Sequence, residues 1–240
     1  MNLQTHICTL LIVIFSVTYG NAQILTVAHI PLPEGFKKTE VARNSFGHYL
    51  RQIELKKDNT VYLFDGRRKA NQKAQYAVLT ISMGAKDLQQ CADAVMRLRA
   101  EYLKILNLPI CFTDNAGKKY CWSQYQLRGW QLYLETVFGM CGTLSLEKQL
   151  KKTNYTSLKA GDVFIKGGSP GHAVIIMDVA TNKKTGEQIF LLAQSYMPAQ
   201  DIHILLNMSN YKISPWYSIP LNGILKTHEW TFQKDQLRTW

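Results

Sequence analysis

Apolar residues recur along this chain at two different spacings, and the change between them falls near Ala160. Before that point the repeat is mostly three to four residues. Phe46, Tyr49, Leu50 and Ile53 share one face at helical spacing after Asn44-Ser45, a pair suited to a helix N-cap. The longest stripe is Leu88, Cys91, Ala92, Val95, Leu98 and Tyr102. It predicts a helix over 88–106 with Asp87 as N-cap. Trp130, Tyr133, Leu134 and Val137 predict a third helix over 123–138. Short strands are expected at 59–64 and 76–82 between these segments.

After Ala160 the apolar residues run together in short blocks divided by turns. Strands are predicted at 162–165, 172–179, 188–193 and 201–206, with a fifth near 229–232. Residues 181–186 (TNKKTG) make a polar turn ending in glycine. Helices first and consecutive strands afterwards predict an α+β domain whose helical N-terminal half packs on an antiparallel β-meander. If the turn centres near Lys183, His172 falls opposite Gln194. Opposed residues in such a pair have Cβ atoms about 4.5–5.5 Å apart.

The first apolar block is of another kind. Residues 7–17 (ICTLLIVIFSV) run without a charge and are followed by Gly20-Asn21-Ala22, small residues placed as a signal-peptidase site requires. At about eleven residues the run is short for a bilayer span. A signal peptide over 1–22 is therefore expected, with cleavage after Ala22 and a single exported domain, periplasmic or extracellular, over 23–240. No later segment reads as a transmembrane span.

Composition changes this picture little. Hydrophobic residues make up 46% and charged residues 19%, as in a folded domain. The net charge of +11 is spread mostly as pairs such as Lys37-Lys38 and Lys183-Lys184. Such a surface suits anionic glycans, wall polymers or membrane surfaces. No nucleic-acid motif accompanies it, so a nucleic-acid partner is not expected.

The cysteines matter more. An exported chain meets oxidising conditions. Cys111 and Cys121 flank an Asp-Asn-Ala-Gly turn in what reads as a hairpin, which makes them the disulfide candidate. Cys91 and Cys141 are left as thiols.

Candidate chemistry centres on His172, which opens an apolar strand behind the glycine-rich 167–171 (GGSPG). Gln194 on the facing strand is placed to accept an imidazole N–H and orient the ring. Cys91, near a helix start where unpaired N–H groups favour a thiolate, is the candidate nucleophile. With Asp87 as N-cap its own N–H would be spent inside the helix; a start at Gln89 or Gln90 frees it for an oxyanion. The side chains of Gln89 and Gln90 are further oxyanion candidates, and Ser195 is a neighbouring binding candidate. Residues 167–171 also fit G-x-S-x-G, but the strand that follows is not the helix a serine elbow needs. No HExxH or CxxC spacing marks a metal site, and no cofactor is implied.

The order of a cysteine at a helix start, then Gly161-Asp162-Val163-Phe164 and Gly171-His172-Ala173-Val174-Ile175, then a polar residue on the next strand, resembles the NlpC-type and CHAP-type papain-like hydrolases. That resemblance implies a papain-like core and cleavage of amide bonds, often in bacterial cell-wall peptides. Gln90-Cys91-Ala92-Asp93 departs from the Asp-Cys-Ser-Gly usual at the NlpC-type nucleophile. Nearly the whole mature chain is similar to a secreted bacterial family, domain of unknown function 4846. The likeness is carried by 31–36 (PLPEGF), 62–66 (YLFDG), 87–102, 142–145 (GTLS), 161–176 and 191–200 (LLAQSYMPAQ).

These readings converge on a secreted cysteine hydrolase that cleaves an amide or ester bond, with a peptide or glycopeptide substrate of the cell wall as the implied class. The competing expectation is an inert exported domain that binds a wall peptide or glycan through aromatics such as Trp216 and Tyr217. The sequence leaves the oligomeric state open.

Overall fold

His172–Asn182 form β7, the longest strand among the described residues, and its first nine residues are all buried. Such a run, apolar at both odd and even positions, is what a strand covered on both faces requires. In the computed structural model, which describes residues 25–240, the remaining elements assemble around it. The predicted signal segment, 1–22, lies outside the described residues.

In chain order the elements are β1 (Phe36–Lys38), α1 (Phe46–Gln52), β2 (Gln75–Val78), α2 (Cys91–Ile105), β3 (Cys111–Thr113) and β4 (Lys119–Cys121). Then come α3 (Trp130–Met140), α4 (Thr143–Gln149), β5 (Lys151–Lys152), β6 (Val163–Lys166), β7, β8 (Gln188–Gln194) and β9 (His203–Leu205). The chain closes with β10 (Tyr217–Ser218), β11 (Ile224–Lys226), β12 (Thr231–Gln233) and β13 (Leu237–Thr239). Nine strands form one antiparallel sheet, ordered β2-β9-β8-β7-β6-β13-β5, with β1 added to the far end of β7 and β10 to β8. Two separate hairpins, β3–β4 and β11–β12, complete the set.

A helical half packed on a meander with a papain-like core is not what the chain forms. The architecture is mainly a nine-stranded antiparallel sheet with four short helices. The N-terminal half contributes β1 and β2 to that sheet, and its helices are one of 7 residues and one of 15. The last strand, β13, inserts between β6 and β5.

Local causes account for the shifted boundaries. Ser45 caps α1, its Oγ accepting from His48 N–H. α2 starts at Cys91 instead of 88, because Asp93 accepts the N–H of Gln90 and closes the first turn there. Asp87, expected as the cap, instead accepts from the backbone N–H of Ala199 and the side chain of Gln90. α3 starts at Trp130 because Gly129 sits at φ +94°, outside helical space. The strand expected at 59–64 reduces to isolated bridges, Tyr62 with Arg68 and Leu63 with Gln200.

The sheet carries a core on each face. On one side α2 packs over Ala173, Ile175 and Met177. On the other, Val174, Ile176, Phe190 and Leu192 lie under Tyr217, Leu225 and Phe232 of β10 and the β11–β12 hairpin. β7 carries a bulge at Met177: the rungs sum to 369 on the turn side (Val179 with Phe190) and to 368 beyond it (Ile176 with Leu192). Met177 and Asp178 thus occupy the space of one residue opposite Leu191. Asp178 is fully buried there and is met by Arg51 and Lys38 at 2.6 and 3.0 Å. Among the described residues no helix is long and apolar enough to cross a membrane.

Candidate functional site

The site lies at the rim where β7 begins. Gly171, just before it, has no room for a side chain, since an added Cβ would stand 2.4 Å from the carbonyl oxygen of Gly168 and 2.5 Å from the hydroxyl of Thr143. This close approach folds the 167–171 turn back onto α4 and delivers His172 at the strand's first position. Alternation along β7 sends the His172 side chain to the hairpin face, away from α2. There it is 1% exposed, between the rings of Tyr196, Trp230 and Phe232 at centroid distances of 5.0, 5.4 and 5.8 Å.

His172 Nε2 donates to Gln194 Oε1 over 2.9 Å. The two residues are not directly opposed as expected: rungs of 368 set position 172 against 196 and make Gln194 its diagonal neighbour. The shift is two residues, so both side chains still share a face. Rungs of 369 carried to the rim would have turned His172 to the helix side while Gln194 kept the hairpin face, and the bulge at Met177 prevents this. An amide oxygen can only accept, so the neutral ring carries its proton on Nε2 and its lone pair on Nδ1. Burial pushes the His172 pKa down to about 4, opposed by the Gln194 bond and the charge of Glu229. The ring is therefore a neutral imidazole near pH 7.

Cys91 is the first residue of α2, so its own N–H has no acceptor within the helix. It is 6% exposed and lines a cleft of about 260 Å³ with Gln90, Cys141, Thr143, Gly168 and Met197. Burial pushes the thiol up to about 11, and the nearby carboxyl of Asp93 adds to this. The N–H groups of Ala173, Ala92 and Cys91 itself act in the opposite direction on the sulfur. The resting form is a neutral thiol, against the thiolate that a helix start alone would favour.

The structure thus brings His172 and Gln194 together on the hairpin face, whereas Cys91 stands on the helix side, next to the backbone of β7 and not to the ring. The Cys91 sulfur lies by the N–H of Ala173, the residue after His172, without a hydrogen bond to the ring. The last β7–β8 rung is Ile175 with Ala193, so the two strands are unpaired at the rim.

The other candidates serve different ends. Gln89 is fully buried, and its Oε1 accepts from Arg97. Gln90 borders the cleft, its side-chain amide donating to Asp87. Ser195 is buried, with its Oγ 2.8 Å from the carbonyl of Gln89 and 2.9 Å from that of Gln200, so it ties the approach to α2 onto the sheet. Cys111 and Cys121 face each other across β3–β4 and are joined by a disulfide with an S–S length of 2.06 Å. Trp216 and Tyr217 are 0% and 2% exposed, so they belong to the two cores and offer no binding surface.

Three further residues extend the polar cluster and have no sequence signature. Gln194 Nε2 donates to Glu229 Oε2, and Glu229 Oε1 is 2.5 Å from Lys69 Nζ. His203 pairs with Gln194 across β8–β9, and its Nδ1 donates to the carbonyl of Asp201 at 2.9 Å. Lys69 and Glu229 sit in irregular segments, where no periodicity indicates which way a side chain points. Only the rung between Gln194 and His203 was within reach of strand-pairing arithmetic.

A sequence model described as a domain of unknown function (4846) matches residues 27–128 and 119–239. No curated protein and no solved structure matches the chain.

Proposed function

From the premise that the chain belongs to the family of domain of unknown function 4846, whose description assigns no activity, we propose that it is a cysteine hydrolase acting on an amide or ester bond. The observation that carries this reading is one juxtaposition. A thiol at the first residue of a 15-residue helix lines an open cleft, by the backbone of a histidine whose Nε2 is held by Gln194. An oriented base beside a nucleophile is the general requirement for acyl transfer.

The chemistry runs from neutral partners. The Cys91 sulfur attacks the carbonyl carbon as its proton passes, by way of a water at the rim, to His172 Nδ1 on the other face of the sheet. The carbonyl oxygen takes the negative charge beside the N–H of Cys91, which the helix leaves free. The imidazolium then protonates the leaving amine or alcohol. Water, deprotonated by the same nitrogen, releases the acid and restores the thiol. A cell-wall peptide or glycopeptide is the substrate class proposed, and export is part of the same proposal.

Iodoacetamide alkylation followed by peptide mass analysis tests it, with Cys141 as the internal control. Cys91 is expected to react faster than Cys141 near pH 7, and His172→Ala to slow it at least about tenfold. A Cys91 no faster than Cys141, or indifferent to His172, defeats the proposal.

A further inference from the structure

The hydrogen bonds around Gln194 have a direction, and it originates outside the cysteine and histidine. Side-chain amides look alike end to end, and a glutamine facing an imidazole can present either its oxygen or its NH2. Here the far end of the amide meets Glu229, and a carboxylate can only accept. Gln194 must therefore turn its NH2 to Glu229 and its oxygen to His172, which in turn requires the proton on Nε2. Lys69, 8% exposed, forms an ion pair with the other carboxylate oxygen at 2.5 Å and so fixes which oxygen faces Gln194.

We propose that Glu229, anchored by Lys69, is a positioning residue that sets the tautomer of His172 through Gln194 and so leaves Nδ1 unprotonated as the base. Its value for catalysis rests on the hydrolase reading; its control of the ring proton does not.

The prediction is specific because replacing Glu229 by glutamine should reverse the chain. In E229Q the single side-chain oxygen is drawn to Lys69, which leaves an NH2 facing Gln194. Gln194 then turns its oxygen to residue 229 and its NH2 to His172, and the ring proton moves to Nδ1. The double variant Q194E/E229Q keeps the net charge and restores the direction, because a carboxylate at 194 accepts from both neighbours.

Ring nitrogen shifts of the full chain labelled with 15N-histidine, recorded at pH 7, read this directly. Expected are Nε2–H in the wild type, Nδ1–H in E229Q, and Nε2–H again in Q194E/E229Q. A wild-type ring protonated on Nδ1, an E229Q ring unchanged, or a double variant that stays switched overturns the proposal. Should E229Q fail to fold, the wild-type and double-variant spectra carry the test: Nε2–H in both supports it, and Nδ1–H in either defeats it.

Cys91 alkylation separates the two readings. If E229Q moves the proton while Cys91 is inert in every form, the hydrolase reading fails and the relay stands. If Cys91 is fast and His172-dependent but E229Q leaves the ring unchanged, the relay fails and the hydrolase stands. If both hold, E229Q should slow alkylation to near the His172→Ala level, and the double variant should recover it.

Discussion

His172 and His203 stand on one face of the sheet, each a diagonal or direct neighbour of Gln194. Burial pushes both pKa values down from 6.5 to about 4. Between those values the unfolded chain binds more protons than the folded one, so stability rises with pH across this window. The stabilisation is complete above about pH 6.5 and is lost progressively towards about pH 4, by a few kcal/mol in all. Urea midpoints should therefore fall between pH 7 and pH 4.5. His203→Gln, which cannot take up the proton, should show a smaller fall than the wild type. Equal falls would place the acid sensitivity elsewhere, in the carboxylates.

Ser195 acts at the scale of elements. Its hydroxyl joins the end of β8 to the backbone of Gln89, and the next residue but one begins α2. The position of the Cys91 sulfur thus depends on a side chain from the opposite half of the chain. Ser195→Ala leaves a buried carbonyl without its donor and should cost about 1–3 kcal/mol in chemical denaturation. It should also weaken the difference in alkylation rate between Cys91 and Cys141. A neutral substitution would show that Gln200 or water replaces the contact.

The elements legible in the sequence were those whose periodicity is local. Ser45 and its helix were found, as were the blocks that became β6 to β9. The face shared by His172 and Gln194 was also legible, but through two offsets: the turn centres one and a half residues beyond Lys183, which shifts the turn-side rungs by three, and the bulge takes one back at the rim. What escaped was set by distant contacts. The two- and three-residue strands β1, β5 and β13 have no period to read, and the cap of α2 was decided by Asp93 against Asp87.

At the scale of the molecule, chain order and spatial order disagree most at the C-terminus. Leu237 is fully buried, and β13 pairs with β6 on one side and β5 on the other. Arg238, 8% exposed, reaches Glu147 of α4 at 2.6 Å. β13 therefore bridges β6 to the edge strand β5 and braces the helix that borders the cleft. Removing residues 237–240 should leave a chain without a cooperative thermal transition by circular dichroism, whereas a substitution at exposed Leu221 should melt as the wild type does. A truncated chain that melts normally would show that β13 is dispensable.

The doubled position at Met177 and Asp178 works within β7 as a frameshift does within a message. One extra residue puts everything on its rim side into a different frame from everything on its turn side. Pairing residue 177 regularly with Leu192 would turn the rim half of β7 over, burying the imidazole beneath α2 and moving Ala173 and Ile175 to the hairpin side. Deleting Met177 would do the opposite: Ile176 stays opposite Leu192 and Asp178 opposite Leu191, so only the bulge is lost. A family member with one residue fewer between His172 and Asp178 should therefore keep the imidazole and the amide of Gln194 on a common face, as a regular strand.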